Sequence, residues 1–325
     1  MAEEILPNLY RIEIPLPNNP LKALNSYVIK APERFLIIDT GMNRRECADA
    51  MASGLTELAV DLDKTEFFIT HLHADHAGLV DSLASSTSII YFNEIDASLL
   101  NKGLGEEEWQ KTERLYHAHG FPTTELEGAM AMHPGRRYSS QKRLDYHIVK
   151  EGDSLSVGDY SFTCIETPGH TPGHMCLYEP RRKILICGDH ILFDITPNIT
   201  FWPDFKNALK VYLSSLEKVL ALDVDLVLPG HRSTWGNLRK RVAELREHHQ
   251  ARLDEVLTAL KNGEKTAYQV APYVTWNIDC SSWDTFPLQQ KWFAVGETVA
   301  HIEYLEENKT VKRRIENGRI VFSVI

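Results

Sequence analysis

The chain has 325 residues, 43% of them apolar and 25% charged, a composition that supports a sizeable buried core in one large domain plus a small one. Its formal charge of −10 lies wholly in residues 1–239, because residues 240–325 carry equal numbers of acidic and basic side chains; such a surface repels polyanions and weighs against nucleic acid as the substrate of the large part. The chain opens without a basic segment followed by an apolar one, and no run is apolar enough to span a bilayer, which predicts a cytoplasmic protein with no membrane partner.

The first forty residues alternate short β-prone runs with turn signals, "LYRIEIPLP", "NSYVIKAPE" and "RFLIIDTG", which predicts strands in series. "TEFFIT" (65–70) and "STSIIYF" (86–92) are further strands, and the apolar spacing of "HADHAGLVDSLAS" between them predicts a short helix. Strands that begin to alternate with helices point to an α/β fold, whose chemistry is placed on loops leaving strands. Residues 93–146 change character: pieces such as "EEEWQKTERLYHAHG" are broken by "KGLG", "GFP" and "HPG", which reads as a helical insertion. From Asp145 to Phe193 β-rich runs return, so a second β half is expected. Leu209, Leu213, Leu216 and Leu220 then share a helical face, and "VDLVLPGH" is a short strand ending in a turn.

A long helix is predicted from about residue 236, with Leu238, Val242, Leu245, Leu253, Val256, Leu257 and Leu260 at three- and four-residue steps. The tail adds two helical segments and, in "KRRIENGRIVFSV", an Asn-Gly turn between two β-prone arms, a strong hairpin signal. Helices followed by a basic hairpin predict a small winged-helix-like module over residues 241–325, after a catalytic domain over residues 1–240. The five cysteines, Cys47, Cys164, Cys176, Cys187 and Cys280, lack C-x-x-C spacing and read as reduced thiols, mostly in buried strands.

The stretch "FFITHLHADHAGLV" (67–80) sets His71, His73, Asp75 and His76 within six positions on the loop leaving a strand. Imidazole nitrogens and carboxylate oxygens suit Zn²⁺ and similar divalent ions. A tight loop aims alternate residues at one point, so His71 and His73 can share one metal while Asp75 and His76 serve a second. Later turns marked by Gly or Pro offer further ligands: "TPGH" at His170, "CGD" at Asp189 and "LPGH" at His231.

His-x-His-x-Asp-His followed in order by Pro-Gly-His, Gly-Asp and Pro-Gly-His, with "IIDTG" upstream, resembles the metallo-β-lactamase superfamily over roughly residues 7–240. The resemblance implies a four-layer αββα sandwich with a binuclear site along one edge of its two sheets. It implies His71, His73 and His170 at the first metal, Asp75, His76 and His231 at the second, and Asp189 as the bridge. Asp39 and His174 would then brace the ligands rather than bind metal. His73 stands where the flavodiiron branch has Glu, and the Asp75-His76 pair departs from many true β-lactamases.

Two divalent ions, zinc ahead of iron or manganese, can hold a water between them and lower its pKa from about 15.7 toward roughly 7. The expected chemistry is hydrolysis: a bridging hydroxide attacks the ester, thioester or lactone carbonyl of a small acyl substrate, with Asp75 and Asp189 as the catalytic carboxylates. Glyoxalase-II-like and lactonase-like relatives occupy this branch. Trp109, Tyr116 and Tyr138, in the aromatic-rich insertion, are expected to line the substrate pocket. Lys309, Lys312, Arg313, Arg314 and Arg319 keep an endoribonuclease or other phosphodiesterase open as the alternative, although a lid, a packing module or a homodimer arm is the simpler expectation for the tail. His117, His119, His133, His147, His190, His248, His249 and His301 match no motif and read as core or surface.

Overall fold

Apolar residues on both faces of the central strands force a layered arrangement, and two sheets enclosed by helices satisfy it; the computed structural model describes residues 2–103 and 105–325. β1 (Ala2–Leu6), β2 (Leu9–Pro15), β3 (Ala23–Lys30) and β4 (Phe35–Ile38) pair antiparallel in series, and after α1 (Arg45–Glu57) the chain adds β5 (Thr65–Phe68) parallel to β4. One-turn helices α2 (Ala74–Ala77) and α3 (Val80–Leu83) lead to β6 (Ile90–Asn93). Helices α4 (Glu94–Lys102), α5 (Glu106–Ala118), α6 (Thr123–Ala131) and α7 (Pro134–Arg137) then cross over to β7 (His147–Val149), parallel to β6. These seven strands form the first sheet in sequence order.

The second sheet is an antiparallel meander, β8 (Ser154–Val157), β9 (Tyr160–Glu166), β10 (Met175–Glu179) and β11 (Ile184–Gly188), extended by β12 (Leu226–Pro229) parallel to β11 after α8 (Ala208–Leu220). α9 (Leu238–Lys261), α10 (Ala267–Val270) and α11 (Leu288–Glu307) precede the hairpin of β13 (Val311–Glu316) and β14 (Arg319–Val324). Among the described residues no helix is long and apolar enough to cross a membrane, and the five cysteines are free.

Period-two alternation decides the layers. Leu36, Ile38 and Phe68 point between the sheets and meet Phe162, Leu177 and Ile186, whereas Ile37 and Phe67 point the other way and pack with Cys47, Met51 and Leu55 of α1. In β11, Ile184 and Ile186 join the inter-sheet core while Leu185 and Cys187 pack with Leu209 and Leu216 of α8, Val256 of α9 and Val295 of α11. Strands buried on both faces must be covered on both faces, and the result is an αββα sandwich.

The hairpin turn is the one the Asn-Gly pair foretells: Asn317 and Gly318 hold φ of 50° and 76°, and Glu316 pairs with Arg319 across it. Other elements differ from expectation. α1 has no counterpart in the sequence reading, although Cys47, Met51 and Leu55 keep a four-residue step; Gly54 interrupts the pattern because Ile12 packs where a Cβ would be, 2.7 Å away. The β-rich stretch expected from Asp145 is divided, since β7 completes the first sheet and only β8 onward builds the second. Residues 94–146 therefore serve as the crossover that a parallel β6–β7 pair requires.

Candidate metal centre

Each candidate ligand follows a strand end at one edge of the sandwich: β5 leads into the loop of His71, His73, Asp75 and His76, β9 leads to His170, β11 to Asp189 and β12 to His231. The two sheets are stitched together beside them, where Asn25 N donates to Gly230 O at 2.7 Å and Leu24 bridges His231. Asp39, at the end of β4, has φ of 60°, a left-handed conformation that Asp tolerates. That turn brings its carboxylate under the histidine loop, where it accepts from Thr70 N at 2.8 Å, Thr70 Oγ1 at 2.8 Å and His76 Nδ1 at 2.7 Å.

The ligating atoms converge. Those of His71, His73 and His170 lie within 4.8 Å of one another, as do those of His71, His76 and Asp189, and those of Asp75, His76 and His231. His71 Nε2 faces His73 Nδ1 at 3.1 Å, and His76 Nε2 faces His231 Nε2 at 3.3 Å. The Asp189 carboxylate sits among them, Oδ1 3.5 Å from His76 Nε2 and Oδ2 3.4 Å from His231 Nε2 and 3.7 Å from His170 Nε2. Asp75 Oδ2 is 3.3 Å from His231 Nε2. All are buried except His73, which is half-buried.

Four of the rings are oriented from behind. His71 Nδ1 is bonded to Thr70 Oγ1 at 3.0 Å, His76 Nδ1 to Asp39, His170 Nδ1 to Asn198 O at 2.8 Å and His231 Nδ1 to Ala23 O at 2.6 Å. A ring whose Nδ1–H is donated presents its Nε2 lone pair, so these four imidazoles aim at a common centre.

Charge tests whether divalent ions fit. Asp39, Asp75 and Asp189 are three buried carboxylates, and among the described residues no Lys or Arg pairs with any of them. Left uncompensated, each buried charge would cost on the order of several kcal/mol. Burial and the surrounding imidazoles push His71 well below its ordinary pKa and His73 down to about 3. Burial also disfavours charge on His76 and His231, but Asp39 and Asp189 outweigh it at His76, and Asp189 and Asp75 push His231 up to about 10. Against their own burial, Asp75 is drawn down to about 2 by His231 and His76, and Asp189 goes well below the usual carboxylate range for the same reason. The centre thus asks for positive charge. His170 Nε2 and Asp189 Oδ1 are buried without a hydrogen-bond partner, which is the open valence a cation would fill. Donor type, spacing and charge all fit divalent ions.

His174 is placed differently from the others. Its Nδ1 donates to Thr167 Oγ1 at 2.8 Å and its Nε2 accepts from Asp189 N at 3.2 Å, so both nitrogens are engaged and the ring holds the backbone of Asp189. Asp96 on α4, which sequence reasoning missed, is fully buried and accepts from Leu72 N at 3.0 Å, Thr171 Oγ1 at 2.6 Å and Gly173 N at 2.7 Å. It ties the loop of His71 to the loop of His170, a role that no local spacing announces.

The expected pocket residues separate. Tyr116 is corrected: it is 2% exposed and stacked on Trp292 of α11 at 3.9 Å, which makes it interior packing and not an open wall. Trp109 is half-buried, its Nε1 donating to Gly103 O at 3.1 Å and its ring edge-on to His133. Tyr138 is half-buried between Arg44 and Arg137, and its carbonyl accepts from Asn43 N at 2.8 Å. Trp202, half-buried and near-parallel to the His73 ring at 6.3 Å, is an aromatic beside the centre that lies outside the expected set.

Comparison with known proteins agrees with this geometry. Residues 21–231 match the family described as "Metallo-beta-lactamase superfamily", and residues 253–325 match "Metallo-beta-lactamase-like, C-terminal domain". A Bacillus subtilis protein named "Probable metallo-hydrolase YqjP" is 25% identical over 312 residues, 92% of each chain. The Bos taurus "Acyl-coenzyme A thioesterase MBLAC2" is 25% identical over 229 residues, 65% of this chain and 74% of that one. The crystal structure of a metallo-beta-lactamase family protein from Thermus thermophilus superposes with a TM-score of 0.83 at 27% identity, covering 99% of this chain and 100% of that one. With the family match running from β3 through His231 and the His/Asp centre lying inside it, the chain belongs to the metallo-β-lactamase superfamily and carries a metallo-β-lactamase-like C-terminal domain.

Proposed function

We propose that this hydrolase is binuclear, with zinc as its first metal, and that it cleaves the thioester of a small acyl substrate, oxygen esters and lactones being its nearest alternatives. The observation that carries the reading is the convergence of His71, His73, Asp75, His76, His170, Asp189 and His231 on one buried centre with four rings oriented from behind. His71, His73 and His170 would hold one ion, Asp75, His76 and His231 the other, with Asp189 between. The thioesterase among the relatives supports the choice of bond.

Divalent ions in such a centre supply Lewis acidity and lower the pKa of water from 15.7 to about 7. The chain's own residues do the rest. Asp75, 3.3 Å from His231, would take the proton released when water adds to the carbonyl, and would return it to the departing thiolate as the carbon–sulfur bond breaks. Asp189 is held through its backbone by His174, which keeps its carboxylate between the two ligand groups. Trp202 and His73 form an aromatic flank that an acyl chain can lie against, and Trp109 and Tyr138 are the insertion residues proposed to shape the pocket further.

The helices-then-hairpin order of the C-terminal segment supports a winged-helix-like module. Arg313 is paired with Glu306 and Arg314 with Glu264 and Glu316, whereas Lys309, Lys312 and Arg319 have no ion pair among the described residues. Residues 240–325 carry as many acidic as basic side chains and the rest of the chain is acidic, which favours acyl hydrolysis over RNA cleavage. The test is a substrate panel run on zinc-loaded protein: acyl-coenzyme A thioesters, matched oxygen esters, lactones, bis-p-nitrophenyl phosphate and single-stranded RNA. Thioester hydrolysis that ceases on chelation and in His71→Ala is expected. Phosphodiester or RNA cleavage without acyl hydrolysis overturns the reading.

A further inference from the structure

The loop after Asp189, residues 190–207, runs from the metal edge to the C-terminal helices and is gripped from both sides. On one side, Asn198 O accepts from His170 Nδ1 at 2.8 Å. On the other, Asn198 Nδ2 donates to Glu297 Oε2 at 2.6 Å, and Phe201 N donates to Gly296 O at 3.2 Å. α11 presses closely here: a Cβ on Gly296 would stand 2.2 Å from Thr200 Oγ1.

Glu297 is 3% exposed, and its other oxygen is paired with Arg252 of α9. Arg252 is itself held, donating to Thr275 O at 3.0 Å and lying over the Trp276 ring. A buried ion pair adds little stability over a packed apolar pair, so stability alone does not account for a carboxylate at this depth. What Glu297 reaches with its free oxygen is the residue whose carbonyl sets the tautomer of His170. His248 and His249 approach the same carboxylate. Arg252 already supplies its countercharge, however, and a guanidinium repels a cation, so the cluster does not build a third metal position.

We propose that Glu297, acting through Asn198, is a positioning residue for His170, and that the C-terminal domain thereby sets the affinity of the metal position to which His170 belongs. The inference rests on the reading of His170 as a ligand. Loss of an outer hydrogen bond to a ligating histidine weakens metal binding roughly 10- to 100-fold.

The experiment is competitive Zn²⁺ titration of the full chain against a chelating indicator, with folding checked by circular dichroism. Asn198→Ala keeps the backbone carbonyl but frees the loop from Glu297, and it leaves the Glu297–Arg252 pair intact. Because the carbonyl remains and only its anchor is lost, one of two ions is expected to bind up to about 10-fold more weakly, the low end of the range for losing the outer bond itself, the other as in the parent chain. Two double variants isolate the acceptor without stranding a buried charge. Arg252→Met/Glu297→Gln keeps an oxygen for Asn198 and should retain parental affinity, whereas Arg252→Met/Glu297→Leu removes that oxygen and should reproduce the loss. Parental affinity for both ions in folded Asn198→Ala and in the Leu double variant overturns the proposal, and so does unaltered binding in His170→Ala, which removes the ligand assignment beneath it. A chain that shows the affinity changes yet cleaves no thioester sinks only the proposed substrate.

Discussion

Asp39 Oδ2 accepts the Nδ1 proton of His76 at 2.7 Å, with both side chains buried and Asp39 in a left-handed backbone conformation. Asn tolerates that conformation as Asp does, so Asp39→Asn removes the charge with little backbone penalty. The variant is expected to fold and to bind one zinc ion roughly 10- to 100-fold more weakly, because His76 loses the carboxylate that raises its basicity. Zinc titration checks this, and parental affinity would contradict the bracing role.

His71 and His231 lie in different ligand groups, so His71→Ala and His231→Ala are each expected to lower a two-ion content by part rather than to empty the centre. His174→Ala should keep both ions while slowing turnover, since its ring bonds the backbone of Asp189. Metal analysis of the three purified variants decides. Stoichiometric loss of an ion in His174→Ala would make it a ligand.

Asp189→Asn is expected to impair turnover more than folding, since an amide lacks the negative charge that would hold two cations against mutual repulsion. Paired measurements of hydrolysis rate and melting temperature test it, and unchanged hydrolysis with two ions bound would remove the bridging role.

Asp96→Ala strands the buried donors Leu72 N and Gly173 N and the Thr171 hydroxyl. Unmet buried donors cost about 1–3 kcal/mol each. A loss of at least about 2 kcal/mol in urea unfolding is expected on the same basis, with weaker metal retention because two ligand loops come apart. A loss below about 0.5 kcal/mol, the size of a surface substitution, would show that the loops hold without this tie.

His119, stacked on Phe322 at 6.0 Å, is pushed down to about 4 by burial and by Arg313. The unfolded histidine titrates near 6.5, so between these values the unfolded chain binds the proton more tightly. The contribution to stability is whole above about 6.5 and declines as pH falls toward about 4. A tenfold difference in proton affinity is ~1.4 kcal/mol, which makes this roughly 3 kcal/mol in all. Urea unfolding at pH 7 and pH 5 should show a smaller acid loss in His119→Leu than in the parent chain; an identical loss would refute the assignment.

The candidate ligand set was legible because its signals are local. Turn residues and strand ends announce where His71, His73, Asp75, His76, His170, Asp189 and His231 leave the sheets, and the Asn317-Gly318 pair dictates its own hairpin geometry. Strand patterning likewise marks the strands and the α/β class, whereas the layered architecture was carried by the family resemblance and not by alternation, since strands such as β4 and β11 are buried on both faces.

Tertiary structure alone decided what stands behind the candidate ligands. Asn198 and Ala23 serve His170 and His231 through main-chain carbonyls, which every residue type carries and no sequence pattern marks. Asp96 meets Thr171 across 75 positions of chain, and Tyr116 is buried by a helix 176 positions away, so neither the tie nor the burial has a local signal. β7 reads as an ordinary strand, and only pairing with β6 assigns it to the first sheet. Local rules set what each segment offers, whereas hydrogen bonds and packing between distant segments exist only once the sheets have closed around them.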